Sequence, residues 1–182
     1  NAFGILLGNG WYNHQSTAVW KFDKAIWRNR PRCLVNIRIT YSDNTTETIT
    51  TDETWKTADS PVIFNSIYTG EHYDARKEIS NWNKPDFDDN NWKQSIVVKS
   101  PSSNLVSQQL HAIRVTTQLK PTKINRVNDT LTVFTFPRNI AGTVRFSIKN
   151  AVAGTIFRIK HAELLYENGM VDLSNIDLHY RP

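Results

Sequence analysis

Apolar and polar residues alternate along much of this 182-residue chain. Cys33, Val35, Ile37, Ile39 and Tyr41 fall on one face of an extended segment, and Asn36, Arg38 and Thr40 on the other, which is the pattern of a half-buried strand. Ser42-Asp43-Asn44-Thr45 supplies a polar turn, and Glu47-Thr48-Ile49-Thr50-Thr51 is the expected return strand of a hairpin. Further strands are predicted over residues 61–68, 96–98, 113–119, 131–136, 144–148 and 156–160, where β-branched and aromatic residues accumulate between polar turns. No segment keeps a helical period for more than about ten residues. Pro85-Asp86-Phe87-Asp88-Asp89 predicts a short turn. Many short strands with regular turns predict an all-β fold, a sandwich or jelly roll.

Ser100-Pro101-Ser102-Ser103-Asn104 breaks the composition, and an extended stretch runs from there to Lys120-Pro121. Such punctuation suits a connection between two domains. The expected division is residues 1–110 and residues 111–182. The first domain opens abruptly in the apolar run Asn1-Ala2-Phe3-Gly4-Ile5-Leu6-Leu7, and the second holds too few strands to close a sandwich. Strands at both ends are therefore expected to lie outside these residues.

Composition narrows the partners. Six Trp and six Tyr bring the aromatic fraction to 11%, and many aromatics stand beside Asn, Asp, Arg or Gly. Aromatic faces with polar neighbours suit sugar rings, but Trp and Tyr also pack cores while their polar tips find partners. The formal charge is +5, yet Lys and Arg are spread thinly, with Arg28-Asn29-Arg30-Pro31-Arg32 the densest stretch. A nucleic-acid binder clusters its cations, so no nucleic-acid partner is expected. Cys33 is the sole cysteine, so no intrachain disulfide can form, and its alternating context predicts a small buried hydrophobe. No run approaches the ~18 apolar residues of a membrane span.

The residues that carry chemistry are few. His14, His72, His111, His161 and His179 are scattered without paired-ligand spacing, and there is no phosphate loop or nucleophile elbow. Glycosidases need two carboxyl groups flanking the scissile bond. Glu71 with Asp74, Asp88 with Asp89, and Asp172 with Asp177 are the available pairs. Asp88 and Asp89 read as turn residues, Asp172 and Asp177 as loop residues, and no pair has a supporting constellation. No catalytic residue and no dedicated metal site is assigned. Calcium takes 6–8 oxygens, and Asn9, Asn13, Asp74 or residues 88–91 could supply some of them. Asn44 and Asn128 head Asn-x-Thr sequons.

Gly70-Glu71-His72-Tyr73-Asp74-Ala75-Arg76 is the densest polar-aromatic cluster. In an extended segment Glu71 and Tyr73 share one face, and His72, Asp74 and Arg76 the other. Asp74 and Arg76 could pair to fix a loop, or hold sugar hydroxyls, which both donate and accept. An exposed structural ion pair would contribute only ~0–1 kcal/mol.

Several strings resemble one family. They are the opening run through Gly8-Asn9-Gly10-Trp11-Tyr12, then Trp20-Lys21-Phe22-Asp23-Lys24-Ala25 and Ile39-Thr40-Tyr41-Ser42-Asp43. Thr51-Asp52-Glu53-Thr54-Trp55-Lys56, the cluster at residues 70–76 and Phe87-Asp88-Asp89-Asn90-Asn91-Trp92 complete the set. In combination and order they resemble the accessory region of bacterial α-L-rhamnosidases of glycoside hydrolase family 78. Asn139-Ile140-Ala141-Gly142 and His161-Ala162-Glu163 resemble the start of that family's concanavalin-like sandwich. Thr135-Phe136-Pro137-Arg138-Asn139 departs from the family's Asp-x-Gly-Gln-Asn turn, and Thr143 stands where a Trp is common.

The resemblance implies a jelly-roll, galactose-binding-like β-sandwich followed by part of a second sandwich. It implies a parent enzyme that removes terminal α-L-rhamnose from glycosides or polysaccharides with inversion, using an (α/α)6 catalytic barrel beyond these residues. The compartment is not given by the sequence, a periplasmic or secreted home being slightly favoured for that enzyme. On this reading the chain is inactive alone and serves as scaffold or substrate-recruiting module. The rival is an autonomous, calcium-dependent, lectin-like rhamnose binder, and a purely structural interface protein is the third. Candidate sugar contacts are Asn9, Trp11, Tyr12, Glu71, Tyr73, Asp74 and Arg76. A live sugar site should keep Trp11 and Tyr12 accessible near Asp74 or Arg76.

Overall fold

The computed structural model describes residues 2–17 and 20–175. The chain divides into two compact units, one reaching Asn104 and the other beginning at Leu105. Among the described residues, all strands pair antiparallel in two-stranded sheets, and helical geometry is confined to two three-residue 3-10 turns, Phe22–Lys24 and Ala75–Lys77. The fold is all-β.

In the first unit, β1 (Asn36–Thr40) pairs with β2 (Thr46–Thr50), placing Ile37 opposite Ile49 and Ile39 opposite Glu47. The reversal is local chemistry. Tyr41 N–H donates to Thr45 O and Asn44 N–H to Tyr41 O, while Asp43 Oδ1 accepts from Thr45 N–H (2.9 Å) and Thr45 Oγ1 (2.6 Å). Asn44 takes φ 65°, a left-handed conformation that Asn tolerates. Ile37 and Ile39 are half-buried, as their alternation predicts, but Cys33 is exposed and the strand starts only at Asn36. The expected buried thiol is thus corrected: alternation extended past the last laddered residue, where no neighbouring strand covers it.

Strand β3 (Lys56–Thr57) pairs with β6 (Lys93–Gln94), and β4 (Val62–Ser66) with β5 (Gly70–Tyr73). The predicted strand at 61–68 therefore ends at Ser66, and Ile67, Tyr68 and Thr69 make the turn into β5. Gly70 sits at φ 92°, which explains a glycine where the chain re-enters the ladder. A register irregularity separates Val62 from Phe64. The turn predicted at residues 85–89 is present: Phe87 N–H donates to Lys84 O and Trp92 N–H to Asp89 O.

The second unit contains β7 (Lys123–Arg126) paired with β8 (Thr132–Thr135), and β9 (Leu164–Leu165) paired with β10 (Val171–Asp172). Val133 is the buried apolar residue among the described residues, and it lies opposite Asn125. The predicted strands at 96–98, 113–119, 144–148 and 156–160 carry no ladder pairing. Their apolar residues stay open to solvent, with Ile113 fully exposed and Ile156 78% exposed. Asp177 and His179 lie outside the described residues.

Candidate functional site

The β4–β5 hairpin organises the polar and aromatic residues of the first unit. At its turn end, the segment carrying Asn9 is tied to β4 from both directions. Asn9 N–H donates to Asn65 Oδ1 (3.1 Å), and Asn9 Nδ2 donates to Asn65 O (3.0 Å). Asn13 closes a turn over Asn9, its N–H on Asn9 O (3.0 Å) and its Nδ2 on Asn9 Oδ1 (2.7 Å). Gly10 takes φ 51° within that turn. The amide of Asn9 is thereby engaged at both its oxygen and its nitrogen.

The same turn brings the rings of Trp11 and His14 together. Their rings stack 6.0 Å apart at 21°, and Phe22 and Tyr68 meet both rings edge-on at centroid distances of 5.4–6.5 Å. Trp20 and Trp27 extend the cluster through Phe22. His14 is fully buried. Beneath it Ser16 Oγ and Ser66 Oγ share a 2.6 Å hydrogen bond, and His14 Nε2 stands 3.4 Å from Ser16 Oγ. Arg28 Nε donates to His14 O (2.6 Å) and holds the turn from outside. Trp11 remains 48% exposed and Trp20 61%, so the cluster presents aromatic surface as well as a centre. Tyr12 points elsewhere, with the Arg32 guanidinium 5.9 Å over its ring.

At the opposite end of β5, Asp74 caps the 3-10 turn Ala75–Lys77. Its Oδ1 accepts from Arg76 N–H (3.1 Å) and Arg76 Nε (2.8 Å), and its Oδ2 accepts from Arg76 Nη2 (2.8 Å). The Arg76 hydrogen bonds hold the Asp74 carboxyl down to about 2. A carboxylate so held cannot serve as a general acid near neutrality. Asp74 N–H donates to Pro61 O (2.8 Å), which fastens the turn to the strand before it. Tyr73 OH bonds the Glu78 carboxylate, which raises the phenol above its ordinary value. Glu71 is exposed on the middle of β5 opposite Asn65. His72 lies against Phe64 of β4, with ring centroids 4.9 Å apart and the planes tilted by 39°.

The seven candidate sugar contacts thus do not converge, and Tyr12 stands apart beneath Arg32. Asn9 and Trp11 belong to the turn end, Asp74 and Arg76 to the far end, about 13 Å away along β5 at ~3.3 Å per residue. Tyr73 and Glu71 lie between them. The calcium candidates are similarly dispersed: Asn9 holds Asn13, Asp88 Oδ1 accepts Asn90 N–H, and Asp89 Oδ1 accepts Lys56 Nζ (2.7 Å). Among the described residues, no group of three or more His, Cys, Asp or Glu converges on one point. Sequence reasoning passed over His14, Ser16, Asn65 and Ser66. Only their spacing within short polar runs could have marked them, because their contacts span about fifty residues of chain.

Comparison with known proteins adds the family context. Residues 1–117 match the family model described as the alpha-L-rhamnosidase N-terminal domain. Residues 125–180 match the bacterial alpha-L-rhamnosidase concanavalin-like domain. An alpha-L-rhamnosidase of Formosa agariphila is 32% identical over 173 residues, covering 93% of this chain and 18% of its own length. One from Streptomyces avermitilis is 30% identical over 180 residues, covering 97% of this chain and 17% of its own. Among solved structures, the Streptomyces avermitilis alpha-L-rhamnosidase complexed with L-rhamnose superposes with a TM-score of 0.80 at 29% identity. That match covers 92% of this chain and 16% of the other. The Dictyoglumus thermophilum alpha-L-rhamnosidase superposes with a TM-score of 0.75 at 38% identity over 79% of this chain and 16% of the other. The chain thus spans under a fifth of the length of the curated relatives it matches.

Proposed function

We propose a function from one premise: the chain belongs to the alpha-L-rhamnosidase N-terminal domain family. It is the non-catalytic accessory region of an enzyme that cleaves terminal α-L-rhamnose from glycosides or polysaccharides. Residues 1–110 act as a rigid scaffold, and residues 111–182 begin the concanavalin-like domain. The catalytic carboxyl groups belong to a barrel elsewhere in the same polypeptide.

One observation supports the scaffold role most strongly. The polar groups that could hold a sugar are already bound to one another, Asn9 to Asn13 and Asn65, and Asp74 to Arg76. A sugar would have to displace those bonds, each worth about 1 kcal/mol net, before gaining its own. A second reading, a lectin-like rhamnose module, is favoured by the exposed faces of Trp11 and Trp20. Those two rings could stack on the apolar face of a sugar without disturbing any polar pair.

Incubating this chain with an aryl α-L-rhamnoside tests the non-catalytic assignment. No aglycone release above the buffer rate is expected. Turnover that survives purification and is lost in Glu71→Gln would sink the assignment.

A further inference from the structure

Asparagine stands directly before glycine twice in this chain, at Asn9-Gly10 and at Asn168-Gly169. In such a pair the glycine's backbone nitrogen can attack the asparagine Cγ, because no Cβ screens that nitrogen. The N–Cγ bond forms, the Cγ–Nδ2 bond breaks, and ammonia leaves with the proton lost from the glycine N–H. Water then opens the succinimide ring at either carbonyl, leaving aspartate or isoaspartate. The net change consumes water, releases ammonia and needs no oxidant or catalyst.

The fold treats the two asparagines differently. Asn9 is half-buried, its Nδ2 donates to Asn65 O (3.0 Å), and its Oδ1 accepts from Asn13 Nδ2 (2.7 Å). Turning that amide over Gly10 N breaks both bonds, and losing Nδ2 sets a carboxylate against the Asn65 carbonyl with no donor between them. Asn168 is exposed, in the three-residue loop Glu167-Asn168-Gly169 between β9 and β10. Tyr166 N–H donates to Met170 O (2.8 Å) and Gly169 N–H to Tyr166 O (2.9 Å). Gly169 takes φ 80°, the left-handed residue that closes such a loop, so the turn itself demands the glycine. Asn168 Oδ1 accepts from Met170 N–H (3.0 Å). That donor stabilises the oxyanion formed when Gly169 N adds to Cγ, and it does not hold the nitrogen that departs. The Gly169 bond to Tyr166 has to open first, in a hairpin with only two laddered residues on each strand.

We propose that Asn168 is a site of spontaneous modification, converting through a succinimide to isoaspartate and aspartate, and that Asn9 is shielded from the same reaction by its bonds to Asn65 and Asn13. The consequence is local to the second unit. Isoaspartate adds a methylene to the main chain inside a loop whose glycine already lies close to β7, where a Cβ on Gly169 would stand 3.2 Å from Asn125 Nδ2. The lengthened loop does not keep Leu165 opposite Val171 and Leu164 opposite Asp172, so the hairpin loosens as the protein ages.

The test holds the 182-residue chain at mildly alkaline pH, folded and in parallel in urea, for as long as urea takes to convert both asparagines. Peptide mapping by mass spectrometry follows each site and separates isoaspartate from aspartate. In the folded chain Asn168 should convert about tenfold faster than Asn9, since one more hydrogen bond has to open at Asn9, and in urea the two rates should be comparable. Asn168→Gln, which keeps the amide but enlarges the ring that must close, should show no gain at that position. Amide hydrogens of residues 164–172 should exchange faster in the aged chain than in the fresh one. Asn168→Asp, with the new charge but no extra methylene, should exchange like the fresh chain. The proposal is overturned if Asn9 converts as fast as Asn168 in the folded chain, or if Asn168 stays an amide while urea converts it. It is overturned also if aspartate forms without isoaspartate, or if aged and fresh chains exchange alike.

Discussion

Replacing Asn9 by alanine separates a structural latch from a sugar contact. The substitution removes two side-chain hydrogen bonds, Asn9 Nδ2 to Asn65 O and Asn13 Nδ2 to Asn9 Oδ1, and leaves the backbone bond from Asn9 N–H to Asn65 Oδ1. At about 1 kcal/mol net for each bond, the loss is about 2 kcal/mol. With a urea slope of ~2 kcal/mol per molar, the unfolding midpoint should fall by about 1 M. All six tryptophans lie in residues 1–104, so intrinsic fluorescence reports the unit that contains the latch. Asn65→Ala deletes only the bond from Asn9 N–H to Asn65 Oδ1, one bond against two, so its midpoint should fall about half as far. Glu71→Ala, on the exposed middle of β5, should move the midpoint by no more than ~0.5 kcal/mol equivalent. The reasoning is refuted if Asn9→Ala leaves the midpoint unchanged, or if Asn65→Ala lowers it further than Asn9→Ala does.

Three further outcomes follow from the geometry. Asp74 should titrate by NMR at about 2 rather than near 3.8, and Arg76→Gln should return it towards the ordinary value. Because its folded value is lowered, the pair stabilises above the ordinary carboxylate range, and that contribution is lost as pH falls through about 2. Cys33 should react with a thiol reagent in native buffer at close to its rate in denaturant, since it is exposed; a rate slowed by orders of magnitude would contradict that placement. Gly4→Ala would put a Cβ 2.1 Å from Trp82 Cζ3, so it should destabilise by about 1–3 kcal/mol, read as a lower urea midpoint.

The elements legible in the sequence were those whose signals are local. The β1–β2 hairpin was visible because Ile37 and Ile39 alternate with polar residues, and because Asp43 and Asn44 make their own turn without outside help. The turn around residues 85–89 was visible for the same reason, with Asp88 and Asn90 bonded to each other. The turn at Ile67-Tyr68-Thr69 was hidden, since two of its residues have the apolar character of strand positions and Tyr68 packs on Trp11 and His14. Alternation at 144–148 and 156–160 described two-faced segments correctly in composition, but a ladder also needs a neighbour in register, which periodicity cannot supply. The candidate site was legible in part. Asp74 and Arg76 pair across two residues, a spacing readable from sequence, whereas Asn9 meets Asn65 and Ser16 meets Ser66 only through the folded chain.

Calorimetric titration of L-rhamnose into this chain, once with calcium and once with excess chelator, tests the scaffold role most directly. The account predicts no saturable heat under either condition from protein verified as folded by its tryptophan fluorescence. Saturable, calcium-dependent binding that is lost in Trp11→Ala would contradict it and establish the lectin-like module in its place.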